Sequence, residues 1–528
     1  VSIQKAQAQD ASLVSTAPAT DSAPFAPFPS QDGAASIKSP TVPVPSASKP
    51  SSVVNVPVPP QKKRLPGDVI GQLEDRIAED PRGDMDAWLS LISEHRRRNK
   101  LDEARSVFDR FFKVFPHAAE QWVAYANMEL ENDDFYRLEQ IFAKALMTVP
   151  NVQLWSIYLD YVRRRNNLTT DSTGQARQIV TAAFDFVLKN IGIDKDSGHL
   201  WQEFVNFVRS SPGVVGGNGW QDQQKADIMR KTFQQATTIP TSALQTLWKE
   251  YEQFETGLNK QTGRKVLMER SPLFVTARSA NVAIQNITKD LKRTTLPRLP
   301  PAMGYQGDTE YMQQVELWEK WIRWEIEEDP LVLKDDETAK YKERVVYVFK
   351  QAVMALRFWP RIWYDAAEFC FQNGMDSDGN DFLTQGIAAN PESCLLAFKK
   401  ADRAEMVNTE DGGNDPDRRR KAVREPYEKL LEALYELSKA TVGREAQMIT
   451  RIQEEAAQDQ QNQGEEDDLD AQIHEITKEA EMRSQTETIK KNVKEQVELL
   501  KNIISHVWIA KMRAMRRVEG KGTGKAGD

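Results

Sequence analysis

From Val69 onward, apolar positions recur with the period of a helix, and large aromatic residues return at intervals too long for one helix. Trp88, Trp122, Trp155, Trp201, Trp248, Trp321 and Trp363 follow one another at 34, 33, 46, 47, 73 and 42 residues. The first six head the amphipathic segments 88-WLSLISEH-95, 122-WVAYANME-129, 155-WSIYLDYV-162, 201-WQEFVNFV-208, 248-WKEYEQFE-255 and 321-WIRWEIEE-328. Three residues after the Trp, one turn along the same face, stand Tyr125, Tyr158, Phe204, Tyr251 and Trp324; the first segment has Leu91 there. A second apolar segment follows, in which a large residue precedes a small one by three, as in Phe142/Ala145, Phe233/Ala236 and Phe349/Ala352. Trp88, Trp122 and Trp363 reach Phe108, Phe142 and Leu383 after 20 residues, and Pro116, Pro150 and Pro391 after 8 more. Proline ends a helix and turns the residue before it away from the α conformation. The spacing therefore predicts tandem pairs, a helix A carrying the Trp and a helix B closed by a proline.

One such pair cannot bury its aromatic face alone, so neighbours must stack into a shared core. The predicted fold is all-α, an α-solenoid. The segments 211-SPGVVGGNG-219 and 294-TTLPRLPPAMGYQGD-308 read as loops inserted into the repeat plan. A seventh pair runs from Trp363 to Pro391, and 393-SCLLAFKKADRAEM-406 with 424-REPYEKLLEALYEL-437 reads as a degenerate eighth. The expected organisation is a leader over 1–66, a first array over 67–290, the start of a second over 291–440, an acidic Gln/Glu-rich linker over 441–490, and a partial further repeat over 491–528 around Trp508. The linker's stretch 451–485 is expected to be partly disordered, with a solvated helix as the alternative.

Composition adds further constraints. Residues 1–66 hold 12 of the 26 prolines and no Trp, too little apolar material to offset the entropy of ordering, so this leader is expected to be disordered. No apolar run approaches the ~20 residues that a spanning helix needs. The net charge of −8 works against a phosphate backbone unless positive charge is gathered locally. Cys370 and Cys394 form no disulfide framework and lack metal-ligand spacing, which suits a reducing, intracellular compartment. Val1 in place of an initiator Met, and the missing helix B after Trp508, read as a truncated chain.

No catalytic, metal-ligating or cofactor-binding residue is nominated. The glycines of 213-GVVGGNG-219 lack the following Gly-Lys-Ser/Thr that cradles phosphate, and 376-DSDGND-381 places its Gly too early for a calcium loop. His95, His117, His199, His474 and His506 are scattered, with no HExxH and no Cys/His pair. The repeat aromatics are read as core in preference to base-stacking platforms. Three basic clusters are candidates for contact with RNA or an acidic partner: 96-RRR-98, Arg163/Arg164/Arg165 and Arg418/Arg419/Arg420. Lys62, Lys63 and Arg64 are candidates for a nuclear-import signal. The plainer reading of such clusters is a solvated helix end whose charge complements the dipole.

A helix A with W-x-x-Y/F and a Glu seven after the Trp (Glu129, Glu255, Glu328), followed by a helix B ending near Pro, resembles the HAT (half-a-tetratricopeptide) repeat. The stretches 100–164, 247-LWKEYEQFETGLNKQTGRKVLMERSPLFVTARSA-280 and 315-VELWEKWIRWEIEEDPL-331 are similar to the suppressor-of-forked family, the large HAT subunit of animal cleavage stimulation factor and fungal cleavage factor IA. The likeness covers roughly residues 68–440, and the Pro-rich leader and acidic insert fit a filamentous-fungal member. The resemblance implies a nuclear, non-enzymatic scaffold of pre-mRNA cleavage and polyadenylation, which holds an RNA-recognition-motif subunit and other processing factors and touches RNA mostly indirectly. It also implies a homodimer through the C-terminal half of the array. Two rivals share the fold: a HAT scaffold of splicing or ribosome biogenesis, and a solenoid that binds RNA directly.

Overall fold

Asp68, Asp84, Asp134, Asn151 and Asn259 each turn a side-chain oxygen onto an N–H of the helix that follows, at 2.9–3.2 Å. Such caps satisfy donors that the first turn leaves open, and they fix where five of the helices begin. A computed structural model describes residues 67–519 apart from 170, 172, 294–297, 302, 303, 305, 411–415 and 463–468. The leader, and parts of the 294–308 insertion, lie outside the described residues.

Helix α1 (Val69–Glu79) precedes the first pair, and the described residues then form helices in A/B succession. The pairs are α2 (Met85–Arg97) with α3 (Leu101–Val114), α4 (Ala119–Glu131) with α5 (Phe135–Ala145), and α6 (Val152–Arg165) with α7 (Gln175–Ile191). Next come α8 (Gly198–Arg209) with α9 (Trp220–Ala236) and α10 (Leu244–Leu258) with α11 (Lys260–Ile287). The second array continues with α12 (Asp308–Arg323), a π-helical turn (Trp324–Glu328), α13 (Thr338–Ala355), α14 (Pro360–Gln372), α15 (Asp376–Ala389) and α16 (Cys394–Glu410). The long helices α17 (Pro416–Asn462) and α18 (Leu469–Glu519) follow. No strand occurs among the described residues. In three of the tight turns from helix A to helix B the chain passes through a left-handed residue, Asn99, Asp133 or Gly374, types that tolerate positive φ.

Packing between pairs follows one rule. The large aromatic of helix B meets the aromatic three after the Trp in the next helix A: Phe108 on Tyr125 (4.5 Å between centroids), Phe142 on Tyr158 (5.4 Å), Phe184 on Phe204 (5.1 Å) and Phe233 on Tyr251 (5.5 Å). The indole N–H of the Trp does a second job, donating to a carbonyl in the turn before its own helix. Trp88 bonds Pro81 O, Trp122 Pro116 O, Trp201 Gly192 O and Trp363 Arg357 O, at 2.8–3.0 Å. A single residue thus fills the core and ties down the inter-repeat turn.

Two expectations are corrected. The sixth helix A is keyed on Trp318, not Trp321: Trp318 and Trp321 are both buried, and the buried carboxylate seven residues after Trp318 is Glu325, whereas Glu328 is exposed. Three tryptophans at a spacing of three satisfy helical periodicity in either phase, and only the partner of the carboxylate separates them. The expected linker is also largely helix. Helix α17 runs on to Asn462, and α18 takes in residues 469–490 of that segment and the anticipated partial repeat as far as Glu519. The two helices lie antiparallel, with Trp508 Nε1 donating to the Tyr435 hydroxyl (3.2 Å) and Lys511 to Glu428 (3.0 Å). Beneath a polar composition α18 carries Val493, Val497, Leu500, Ile504 and Val507 in a coiled-coil spacing of three and four, which Lys511 and Ala514 continue.

Candidate interaction surfaces

Trp88, Phe108, Trp122, Tyr125, Phe142, Trp155, Trp201, Phe204, Phe233, Tyr251, Trp321, Trp324, Phe349 and Trp363 lie in the core. Tyr158 and Trp248 are half-buried, and Trp248 stacks on Phe274 of α11 at 4.3 Å. These rings are occupied by each other, so contacts with other molecules must use what lies outside them.

The basic clusters divide by position. Arg163, Arg164 and Arg165 close α6, where the helix dipole favours positive charge. Arg163 pairs with Glu203 (2.8 Å) and covers the Phe184 ring, and Arg165 lies over Phe135. Arg97 and Arg98, at the end of α2, both bond Glu94. Arg418, Arg419 and Arg420 differ: they stand in the first turn of α17, where positive charge opposes the dipole, so the helix-end explanation fails there. Asp417 offsets Arg420 at 2.9 Å. Lys62, Lys63 and Arg64 fall outside the described residues.

Sequence spacing gives no hint of a polar cluster that joins distant parts of the chain. Where the second array meets the first, Arg293 holds Asp194 and Asp196, Tyr347 of α13 donates to Asp194, and Gln351 reaches Pro150 O and the Tyr347 hydroxyl. Tyr347, Met354 and Phe358 belong to the core of the first array. Burial raises the cost of ionising Asp194, but Arg293, Tyr347 and the backbone N–H of Asp196 outweigh it and hold the carboxyl below its ordinary range. Burial above all, with Asp194 beside it, pushes the Tyr347 phenol well up. Nearby, Arg357 faces His117 Nδ1 at 3.1 Å, and burial together with that cation pushes the imidazole down to about 4. Arg82 pairs with Glu392 across the same meeting of the arrays.

Beside His117 opens a cleft of about 640 Å³ lined by Phe112, Lys113, Trp122, Lys144 and Gln385. Two exposed lysines and Asp109 rim an aromatic floor there, with Lys144 3.8 Å from the Asp109 carboxylate. Among the described residues, no group of three or more His, Cys, Asp or Glu is placed to hold a metal ion, and no helix is long and apolar enough to cross a membrane. Sequence reasoning passed over Trp220, Val214 and Val215, all exposed; the one signal was a Trp falling outside the repeat period.

The sequence matches the suppressor of forked protein (Suf) family over residues 68–526. The chain belongs to that family. Similar proteins include the mRNA 3′-end-processing protein rna14 of Aspergillus fumigatus, 58% identical over 464 residues that are 87% of this chain and 45% of that one. The RNA14 of Gibberella zeae is 50% identical over 87% of this chain and 46% of its own, and the rna14 of Schizosaccharomyces pombe 32% identical over 71% and 48%. This Suf-family chain therefore spans about half the length of the relatives it matches. Among solved structures the crystal structure of CstF-77 is similar, at 17% identity and a TM-score of 0.42, over 60% of this chain and 62% of that one.

Proposed function

We propose that this chain acts in the nucleus as a non-catalytic scaffold of pre-mRNA 3′-end processing, holding an RNA-recognition-motif subunit and other processing factors in register. The observation that carries the reading is the identity of 58% across 87% of the chain to a relative named for mRNA 3′-end processing. Its architecture agrees: the aromatic side chains are spent on stacking repeats, and what remains outward is a long series of helix faces and turns, the surface such arrays use to gather partners. Self-association through the second array is part of the proposal.

The test is removal of the protein from fungal nuclear extract, followed by cleavage of a polyadenylation-site RNA. Loss of cleavage, restored by the full-length protein, is the expected result. Co-purification with splicing particles and no cleavage subunits would transfer the scaffold to splicing. Tight, steeply salt-dependent binding of U-rich RNA by the purified chain would favour direct RNA recognition. Light scattering decides self-association, a concentration-independent monomer being the losing result.

A further inference from the structure

The residues between α8 and α9 interrupt the repeat plan, and in the structure they form a built loop. Lys225, on the second turn of α9, sends its ammonium back onto the carbonyls of Arg209 (2.7 Å), Ser211 (2.8 Å) and Gly213 (3.1 Å). Asp222, three residues earlier, accepts from the N–H groups of Val214 (2.6 Å) and Gly219 (3.0 Å). The cation therefore gathers the carbonyls leaving α8, and the carboxylate gathers the amides entering α9. Gly213 and Gly216 take φ of +98° and +87°, and a Cβ on Gly217 would sit 2.1 Å from Asp222 Oδ2. Backbone this close to the clamp requires glycine.

What this clamp holds out to solvent is apolar. Trp220 is 74% exposed and Val214 70%, with Val215 beside them at 37%. The Trp220 indole N–H has no acceptor among the described residues, although four of the repeat tryptophans tie theirs to a backbone carbonyl. A large ring on an already ordered loop gives up little freedom on binding, which is what makes an efficient anchor.

We propose that Val214, Val215 and Trp220 form a preformed anchor that inserts into an apolar pocket of a folded protein other than this chain, a pocket that also offers an acceptor to the indole N–H. Charge selects that class of occupant. The cations bonded to the loop or to the end of α8 that enters it are committed: Lys225 to carbonyls, Arg209 to Glu250 (2.6 Å), and Arg177 to the Phe207 ring and carbonyl. The remaining sequence neighbours, Ser210, Asn218, Gln221, Gln223 and Gln224, are uncharged. Nucleic acid needs cations for its phosphates, and those that contact this loop are already engaged; a neutral polar rim around an aromatic anchor is the composition of a protein interface. Two copies of the anchor facing each other would bury only part of each ring, so a second copy is the poorer occupant. The proposal does not depend on the process this scaffold serves.

The test uses the full chain, tagged, in fungal cells lacking the endogenous protein. A photo-reactive p-benzoylphenylalanine replacing Trp220 is expected to crosslink to one co-purifying protein, at a peptide that lines an apolar pocket. Hydroxyl-radical footprinting should show Trp220 protected in that complex but not in the isolated chain, with exposed Tyr136 on α5 as the unaffected control. With that protein purified, Trp220→Ala should weaken binding by about 30-fold or more. Trp220→Phe should retain the larger part of the affinity, and both variants should melt like the parent. Crosslinks that ribonuclease removes, crosslinks to a second copy, or equal oxidation of Trp220 in the complex and the free chain would each overturn the proposal.

Discussion

The repeat tryptophans carry two separable contributions, a ring in the core and an N–H on a turn. Trp122→Ala removes both, and cavity formation at a large buried aromatic costs about 3–5 kcal/mol. Trp122→Phe keeps much of the stacking on Phe112 but leaves the Pro116 carbonyl without its donor, a loss of about 1–2 kcal/mol. Amide exchange should therefore accelerate across α4 and α5 in both variants, far more in the first; equal effects would mean that the N–H bond carries the whole contribution. His117 makes a second residue-scale prediction. Its ordinary value is 6.5 and its folded value about 4, so the unfolded chain binds the extra proton first as pH falls. Stability contributed by the neutral imidazole is complete above about 6.5 and drains away between 6.5 and 4, by at most about 3 kcal/mol. In His117→Gln the melting temperature should fall less steeply over that window; slopes identical to the parent's would exclude His117 as the sensor.

At the scale of elements, buried carboxylates near the ends of helices A are held by arginines of helices B. Glu129 takes Arg105 and Glu255 takes Arg230 from the helix before, whereas Glu325, at the π-helical turn, takes Arg344 from the helix after, with bonds of 2.8 and 2.9 Å. Breaking such a pair leaves a bare charge inside, so Arg344→Ala should cost about 3–5 kcal/mol in denaturant unfolding. Replacing both partners, as Arg344→Met with Glu325→Leu, should recover most of that loss; a double variant no more stable than Arg344→Ala would rule out the unpaired charge as the cause. These clasps also show what a sequence discloses. The A/B plan was legible because Trp, aromatic and Pro recur at local spacings that one helix pair enforces on its own. The phase at Trp318 was not, because it rests on a carboxylate whose partner lies 19 residues away. The α17–α18 pair was missed because the Gln/Glu-rich composition of 441–490 suits solvated helix and linker alike, and the apolar spacing of 493–514 beyond it fits a further repeat as well as a partner for α17. Trp220 gave no signal beyond breaking the period, since exposure is a property of the folded loop.

At the scale of the molecule, the described array is held where residues 99 to 240 positions apart meet: Arg293 with Asp194, Tyr347 with Asp194, Gln351 with Pro150, and Arg357 with His117. Local periodicity contains none of this, and the sequence alone would leave the two arrays as beads on one string. Arg293 supplies the positive charge at Asp194, and its guanidinium also lies over the Trp321 ring. In Arg293→Ala, Asp194 keeps the Tyr347 hydroxyl and the Asp196 N–H but loses its cation, and an ionised carboxylate so placed draws water inward. The expected outcome is a separation of α13 from the turn between α7 and α8, read as a larger radius of gyration in X-ray scattering and faster amide exchange in α13, with helix content unchanged. Arg298→Ala, which breaks the exposed pair with Asp86, serves as the control and should leave scattering as it was. The linkage signs set the conditions. The carboxyl of Asp194 is shifted down, so its contribution is full above its ordinary value of 3.8 and drains away as pH falls from there through its folded value; the phenol of Tyr347 is shifted up, so its contribution is full below 10 and drains away as pH rises from there through its folded value. Scattering near neutral pH therefore isolates Arg293 itself, and an unchanged profile there would mean that apolar packing of Tyr347, Met354 and Phe358 holds the arrays together unaided.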